Sequence, residues 1–140
     1  AAPYLYSGPS PVASLATVLA GFDVNDDRGD AIRADLHAKT ARVLDTVHRL
    51  GLHTPNTSGT PIIEIPLVDD RDIDDVGRFL FDNGVYVTLA AYPLVPRSPV
   101  GIRVQVTAAN TYAEVDHLCA TLAELDARFG VRRAATGATA

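Results

Sequence analysis

The chain has no methionine, one cysteine and one lysine among its 140 residues, and each shortage excludes something. A single thiol, Cys119, rules out an internal disulfide and fits a reducing compartment, so a cytoplasmic location is expected. Methionine is missing even at position 1, and the chain opens on AAPYLYS as though continuing a longer polypeptide. The lone lysine, Lys39, stands against eleven arginines. No apolar run approaches the ~20 residues of a membrane span, and no basic-then-apolar segment opens the chain. A membrane is therefore not an expected partner. Basic residues are scattered, with only Arg132 and Arg133 adjacent, and the formal net charge is −5. Nucleic acid, which demands a basic face, is not expected either.

What is present is ordinary for a soluble domain: 47% hydrophobic and 21% charged residues, in a chain long enough to bury a core unaided. Pro9 and Pro11 suit a helix entry, and Val12, Leu15, Leu19 and Phe22 recur at helical spacing. They predict a short helix to about Gly21, followed by a polar break over Asn25 to Gly29. A longer helix then carries Ile32, Leu36, Val43, Val47 and Leu50 on one face and stops at Gly51. Its polar side holds Lys39 as a surface lysine, with His37 and His48 solvated. His53 to Thr60 reads as a loop, and Ile62 to Val68 as a strand whose Pro66 favours an edge or an end of pairing. Asp69 and Asp70 open another helix, bearing Ile73, Val76 and Leu80 and ending at Asn83-Gly84. Val85 to Ala91 is a second strand, and Tyr92 to Pro96 a stiff loop.

The third strand is the most informative stretch. Ile102, Val104 and Val106 alternate with Gly101, Arg103, Gln105 and Thr107. Thr111 with Glu114 spells a capping box for a last helix, which carries Val115, Leu118, Leu122, Leu125 and Phe129 and ends at Gly130. Residues 131–140 are expected to be a flexible tail to a domain of residues 1–130. Helices and strands mix without strict alternation. The fold expected is α+β: a small, mainly antiparallel three-stranded sheet with helices packed on one face. The opposite face would bear Arg103.

Few residues invite chemistry. His37, His48, His53 and His117 lack ligand spacing, and Cys119 reads as a buried thiol beside Leu118, so no metal is expected. No serine sits in a strand–turn–helix elbow. Asp69, Asp70, Asp72, Asp74 and Asp75 are explained by a helix's first turn. Arg103 differs, because a guanidinium cannot shed its charge and asks for an anion. A strand arginine is commonly salt-bridged or exposed at an edge. The functional alternative is a site for a small anion on the open face, shared with Gln105 and Thr107. Ser7 and Gly8 raise a similar choice between an ordinary helix entry and a phosphate contact.

Four motifs in order add a resemblance. Pro3-Tyr4-Leu5-Tyr6-Ser7, Gly84-Val85-Tyr86-Val87, Tyr92-Pro93-Leu94-Val95-Pro96 and the run from Ile102 to Thr111 resemble the C-terminal domain of the α-oxoamine synthase family. That family includes the 8-amino-7-oxononanoate synthase and 2-amino-3-ketobutyrate CoA ligase types. They are pyridoxal 5'-phosphate (PLP) enzymes of aminotransferase class I/II and fold type I. The resemblance implies an acyltransferase that condenses an amino acid with an acyl thioester, on CoA or an acyl carrier protein, with loss of CO₂. It implies that Arg103 binds the amino acid's carboxylate and that Ser7 and Gly8 contact the cofactor phosphate across a homodimer interface. Leu94 stands where several members have a substrate-contacting threonine. Gly101 replaces a second arginine, and Asn110 the histidine of the T-A-A-H-T motif. The Schiff-base lysine and the cofactor's ring partners belong to an N-terminal large domain that would precede Pro3, so the chain alone is expected to be inactive. Two other readings remain at this point. One is a stand-alone binding or regulatory module for a small carboxylic acid, and the other is a domain of an aminotransferase.

Overall fold

The computed structural model describes residues 8–69, 72–95 and 100–131. Its elements in order are α1 (Val12–Arg49), β1 (Ile62–Pro66), α2 (Ile73–Asp82), β2 (Thr88–Ala90), β3 (Gly101–Gln105) and α3 (Tyr112–Phe129). The expected tail after Val131 and Pro96 of the proline loop lie outside the described residues.

The first correction concerns α1, which runs unbroken for 38 residues where two helices were expected. The polar stretch contains no proline, and one glycine costs only about 1 kcal/mol in a helix interior. Its side chains also satisfy one another. Arg33 donates to Asn25 Oδ1 and Asp30 Oδ1, both at 2.7 Å. Gly29 leaves room for the crossing, since a Cβ there would lie 2.7 Å from Asn25 Oδ1.

The chain forms two compact units, residues 1–34 and 35–140. In the first, the apolar residues at helical spacing are exposed: Val12 is 82%, Leu19 65% and Phe22 61% accessible. In the second, α1 supplies Val43 and Val47 to a single core and ends in a turn at Gly51, whose φ is +70°. Asn56 ties the following loop by donating to the carbonyls of Thr60 and Ile62 at 2.7 and 2.9 Å.

Three strands make one sheet of order β1-β3-β2, antiparallel throughout. Ile63 and Ile65 of β1 and Ile102 and Val104 of β3 meet Val76 and Leu80 of α2 and Val115, Leu122 and Leu125 of α3. The α+β architecture is the one expected from the pattern, and β1, which carries Pro66, is an edge strand. Helix α2 starts at Ile73, later than the expected opening at Asp69, and Asp70 lies outside the described residues.

Strand β2 is also shorter than expected, with pairing confined to Thr88–Ala90. Gly84 turns the chain with φ +73°, and the Val85 N–H is donated to the Leu80 carbonyl at 2.8 Å. The front of the segment is therefore held by the end of α2 and diverges from β3. A cavity of about 520 Å³ fills the gap, lined by residues from Gly84 to Val87, from Val104 to Val106 and from the first turns of α3.

Candidate functional site

Alternation along β3 buries Ile102 and Val104 and turns Arg103 and Gln105 outward. The register sets Glu64 of β1 and Thr88 of β2 on either side of Arg103. Both ordinary explanations for a strand arginine then fail. Arg103 lies in the central strand, not at an edge. Among the described residues its guanidinium also makes no ion pair or hydrogen bond, in contrast to Arg33 and Arg42, which meet Asp30 and Asp116. A rigidly mounted guanidinium, exposed and unpaired among the described residues, can take an anion from solution, and its planar fork suits a carboxylate.

The neighbouring departures have structural causes. A Cβ on Gly101 would lie 2.5 Å from the Ile65 carbonyl oxygen and 2.8 Å from Pro66 Cα, so the strands approach too closely for a second arginine. Asn110 Oδ1 accepts from the Thr107 N–H at 2.8 Å and the Thr107 hydroxyl at 2.9 Å. The Thr107 hydroxyl proton is thus engaged by the turn, while the side chain stays exposed in phase with Arg103 and Gln105. The capping box is present: Thr111 N–H donates to Glu114 Oε2 at 2.7 Å, and Glu114 N–H to Thr111 Oγ1 at 3.2 Å. The backbone bond from Thr111 is the main reason the Glu114 carboxyl is held below its ordinary range.

Lys39 is the residue the sequence misplaced. It is 4% exposed, not at the surface. Its ammonium donates to the Asp35 carboxylate and, at 3.1 Å, to the Ala108 carbonyl, and lies 5.3 Å from the centre of the Tyr112 ring. The hydrogen bond from Lys39 is the chief cause lowering the Asp35 carboxyl below its usual range. A visible signal existed in the four-residue spacing from Asp35 to Lys39. Glu64 was also missed, because its place beside Arg103 depends on strand register.

The other candidates are more scattered. Leu94 is 83% exposed in the turn after β2, where its N–H donates to the Ala91 carbonyl at 2.9 Å. Gly8 is exposed in the lead-in to α1, and Ser7 lies outside the described residues. The 520 Å³ cavity is lined by Gln105 but by neither Arg103 nor Leu94. Cys119 is half-buried, not the buried thiol expected, with Sγ 3.9 Å from the Arg42 carbonyl oxygen. His37, His48 and His53 are exposed, and His117 Nε2 donates to the Asn83 carbonyl at 2.7 Å. Among the described residues no helix is long and apolar enough to cross a membrane.

No family model matches the chain. Individual proteins do. Over 121 residues it is 35% identical to the 8-amino-7-oxononanoate synthase of Marinobacter nauticus, covering 86% of this chain and 30% of that one. The mitochondrial 2-amino-3-ketobutyrate coenzyme A ligase of Bos taurus is 27% identical over 125 residues, 89% of this chain and 29% of the relative. Its homologues are the α-oxoamine synthases. The match is to their C-terminal part, and the chain spans about 30% of the length of the curated relatives it matches. Solved structures share the fold. An 8-amino-7-oxononanoate synthase from Francisella tularensis superposes with a TM-score of 0.73 at 18% identity, over 91% of this chain and 36% of that one. A serine palmitoyltransferase from S. paucimobilis, with a bound PLP–myriocin aldimine, gives 0.68 at 19% identity, over 74% of this chain and 26% of its own.

Proposed function

We propose that this chain is the C-terminal domain of a PLP-dependent acyltransferase that condenses an amino acid with an acyl thioester and releases CO₂. In this reading Arg103 binds the amino acid's carboxylate. The observation that carries it is the unpaired guanidinium in the middle of the sheet's open face. Residues 1–130 form the domain and 131–140 a tail. An N-terminal large domain supplies the remaining groups, within a cytoplasmic homodimer. Leu94 borders the substrate channel, and Ser7 and Gly8 approach the cofactor phosphate.

When bound, PLP supplies an electron sink, and it is anchored through a lysine. The only lysine here, Lys39, is buried against Asp35 and the Ala108 carbonyl. The residues of this chain therefore do not fit the cofactor's aldehyde end, and that lysine must come from outside the chain. Gly8 is exposed and a Cβ built on it meets nothing within 4 Å, so among the described residues nothing beside it forms a phosphate cradle, and the rest of such a cradle would come from outside this chain.

The test is Arg103→Ala in the complete protein. A hydrogen bond to a charged group is commonly worth about 1.5–3 kcal/mol, and the amino-acid KM is expected to rise accordingly with the cofactor still bound. Arg103→Lys rescues poorly, because a point charge does not replace the fork. An unchanged KM in both variants overturns the assignment. Titration of the 140-residue chain with glycine, serine and alanine addresses the alternative: tight binding without the large domain would favour a stand-alone carboxylic-acid module. Release of an oxo acid without CO₂ would instead mark an aminotransferase.

A further inference from the structure

We infer that Glu64 is a specificity determinant of the Arg103 site: a built-in anion that weakens the hold on one carboxylate and turns away ligands bearing a second. The inference rests on the reading of Arg103 as a carboxylate site.

Glu64 pairs directly with Arg103 in the β1–β3 register. Directly opposed side chains of antiparallel strands share a face, with Cβ atoms roughly 4.5–5.5 Å apart. Ile63 and Ile65, on either side of Glu64, are fully buried, so Glu64 projects to the open face, where it is half-buried. The other paired positions on that face are neutral: Ile62 beside Gln105, Thr88 beside Arg103, and Pro66 and Ala90 beside Gly101. Arg103 and Glu64 are thus the only charged residues in the paired face.

They form no ion pair within 4 Å of each other. The fork is consequently free to receive a ligand, while the carboxylate next to it opposes any anion that arrives. A ligand carboxylate on Arg103 comes within several ångströms of Glu64. For charges at a water-exposed surface, that repulsion weakens binding by about 3- to 10-fold, and salt screens it. An amino acid with an acidic side chain brings a second carboxylate into the same field and is penalised again.

The experiment compares wild type, Glu64→Gln and Arg103→Ala in the complete protein. It measures KM and kcat for glycine, serine and alanine, and inhibition by aspartate, at low and high salt. Glu64→Gln is expected to lower the amino-acid KM by about 3- to 10-fold at low salt, with little change in kcat. That gain shrinks at high salt, and inhibition by aspartate strengthens by more than the KM falls. Glu64→Ala reports the same change should glutamine disturb the strand. If Arg103→Ala raises KM while both Glu64 variants leave it unchanged or raise it, the role of Glu64 is overturned and the clamp stands. If Arg103→Ala changes nothing, the clamp itself fails and the role of Glu64 with it.

Discussion

At the scale of single residues, Lys39 shows how a charge comes to be buried. Desolvating an ammonium is unfavourable unless it is paired and hydrogen-bonded. Here a carboxylate, a carbonyl and an aromatic ring surround it. Lys39→Met keeps the apolar stem but strands the Ala108 carbonyl, so a loss of about 1–3 kcal/mol is expected in denaturant unfolding at neutral pH. The pH dependence has a definite sign. A lowered Asp35 carboxyl contributes stability that is complete above the ordinary aspartate range and disappears as pH falls through its lowered value. The gap between wild type and Lys39→Met is therefore expected to narrow as pH falls through the acid range, and a gap that stays constant from neutral pH into acid would contradict the pairing. Sequence spacing linked Asp35 to Lys39, but the cover over both comes from Ala108 and Tyr112, about 70 residues away along the chain. Helical periodicity carries no information about that.

Among the elements, legibility followed how local the determining chemistry is. Helix α3 was readable at both ends, because a capping box and a left-handed glycine act within a few residues of the terminus. Thr111→Ala is expected to cost about 0.5–2 kcal/mol, measured by thermal or urea unfolding. Strand β2 was not readable to the same depth. Val85 and Val87 keep the alternating pattern, yet the Val85 N–H bonds to Leu80 and the pairing stops at Thr88. The continuity of α1 was hidden for a related reason: polar residues that read as a break bond to one another along the helix. Gly101 makes the sharpest prediction for the sheet. A methyl group there meets the main chain of β1, which cannot rotate away as a side chain would. Gly101→Ala is expected to destabilise by about 1–3 kcal/mol. Faster hydrogen exchange at Leu67, whose N–H donates to the Val100 carbonyl, would report the loosened strand pair.

For the molecule as a whole, the α+β class and the exposed polar side of β3 were legible, because binary patterning decides which side of a sheet is apolar. What remained illegible was the fate of the first unit. The stripe of Val12, Leu15, Leu19 and Phe22 predicts burial, and all four are exposed. An apolar row of that length on a helix marks a contact surface. The 140-residue chain alone is expected to self-associate in sedimentation velocity as its concentration rises. Leu15→Glu with Leu19→Glu is expected to suppress this while leaving the helical circular dichroism intact. A chain that stays monomeric at high concentration would argue against the stripe as a contact surface.

The burial of the only lysine has one further consequence. Enzymes that acetylate or ubiquitinate proteins act on lysine ε-amino groups, and the folded chain keeps its one lysine buried, its amino group in contact with Asp35, Ala108 and Tyr112. All its other basic side chains that stay charged at neutral pH are guanidinium groups, which those enzymes do not modify. Conjugation within this stretch therefore has to wait for unfolding, so a modified Lys39 recovered from cells would mark molecules that had lost this structure.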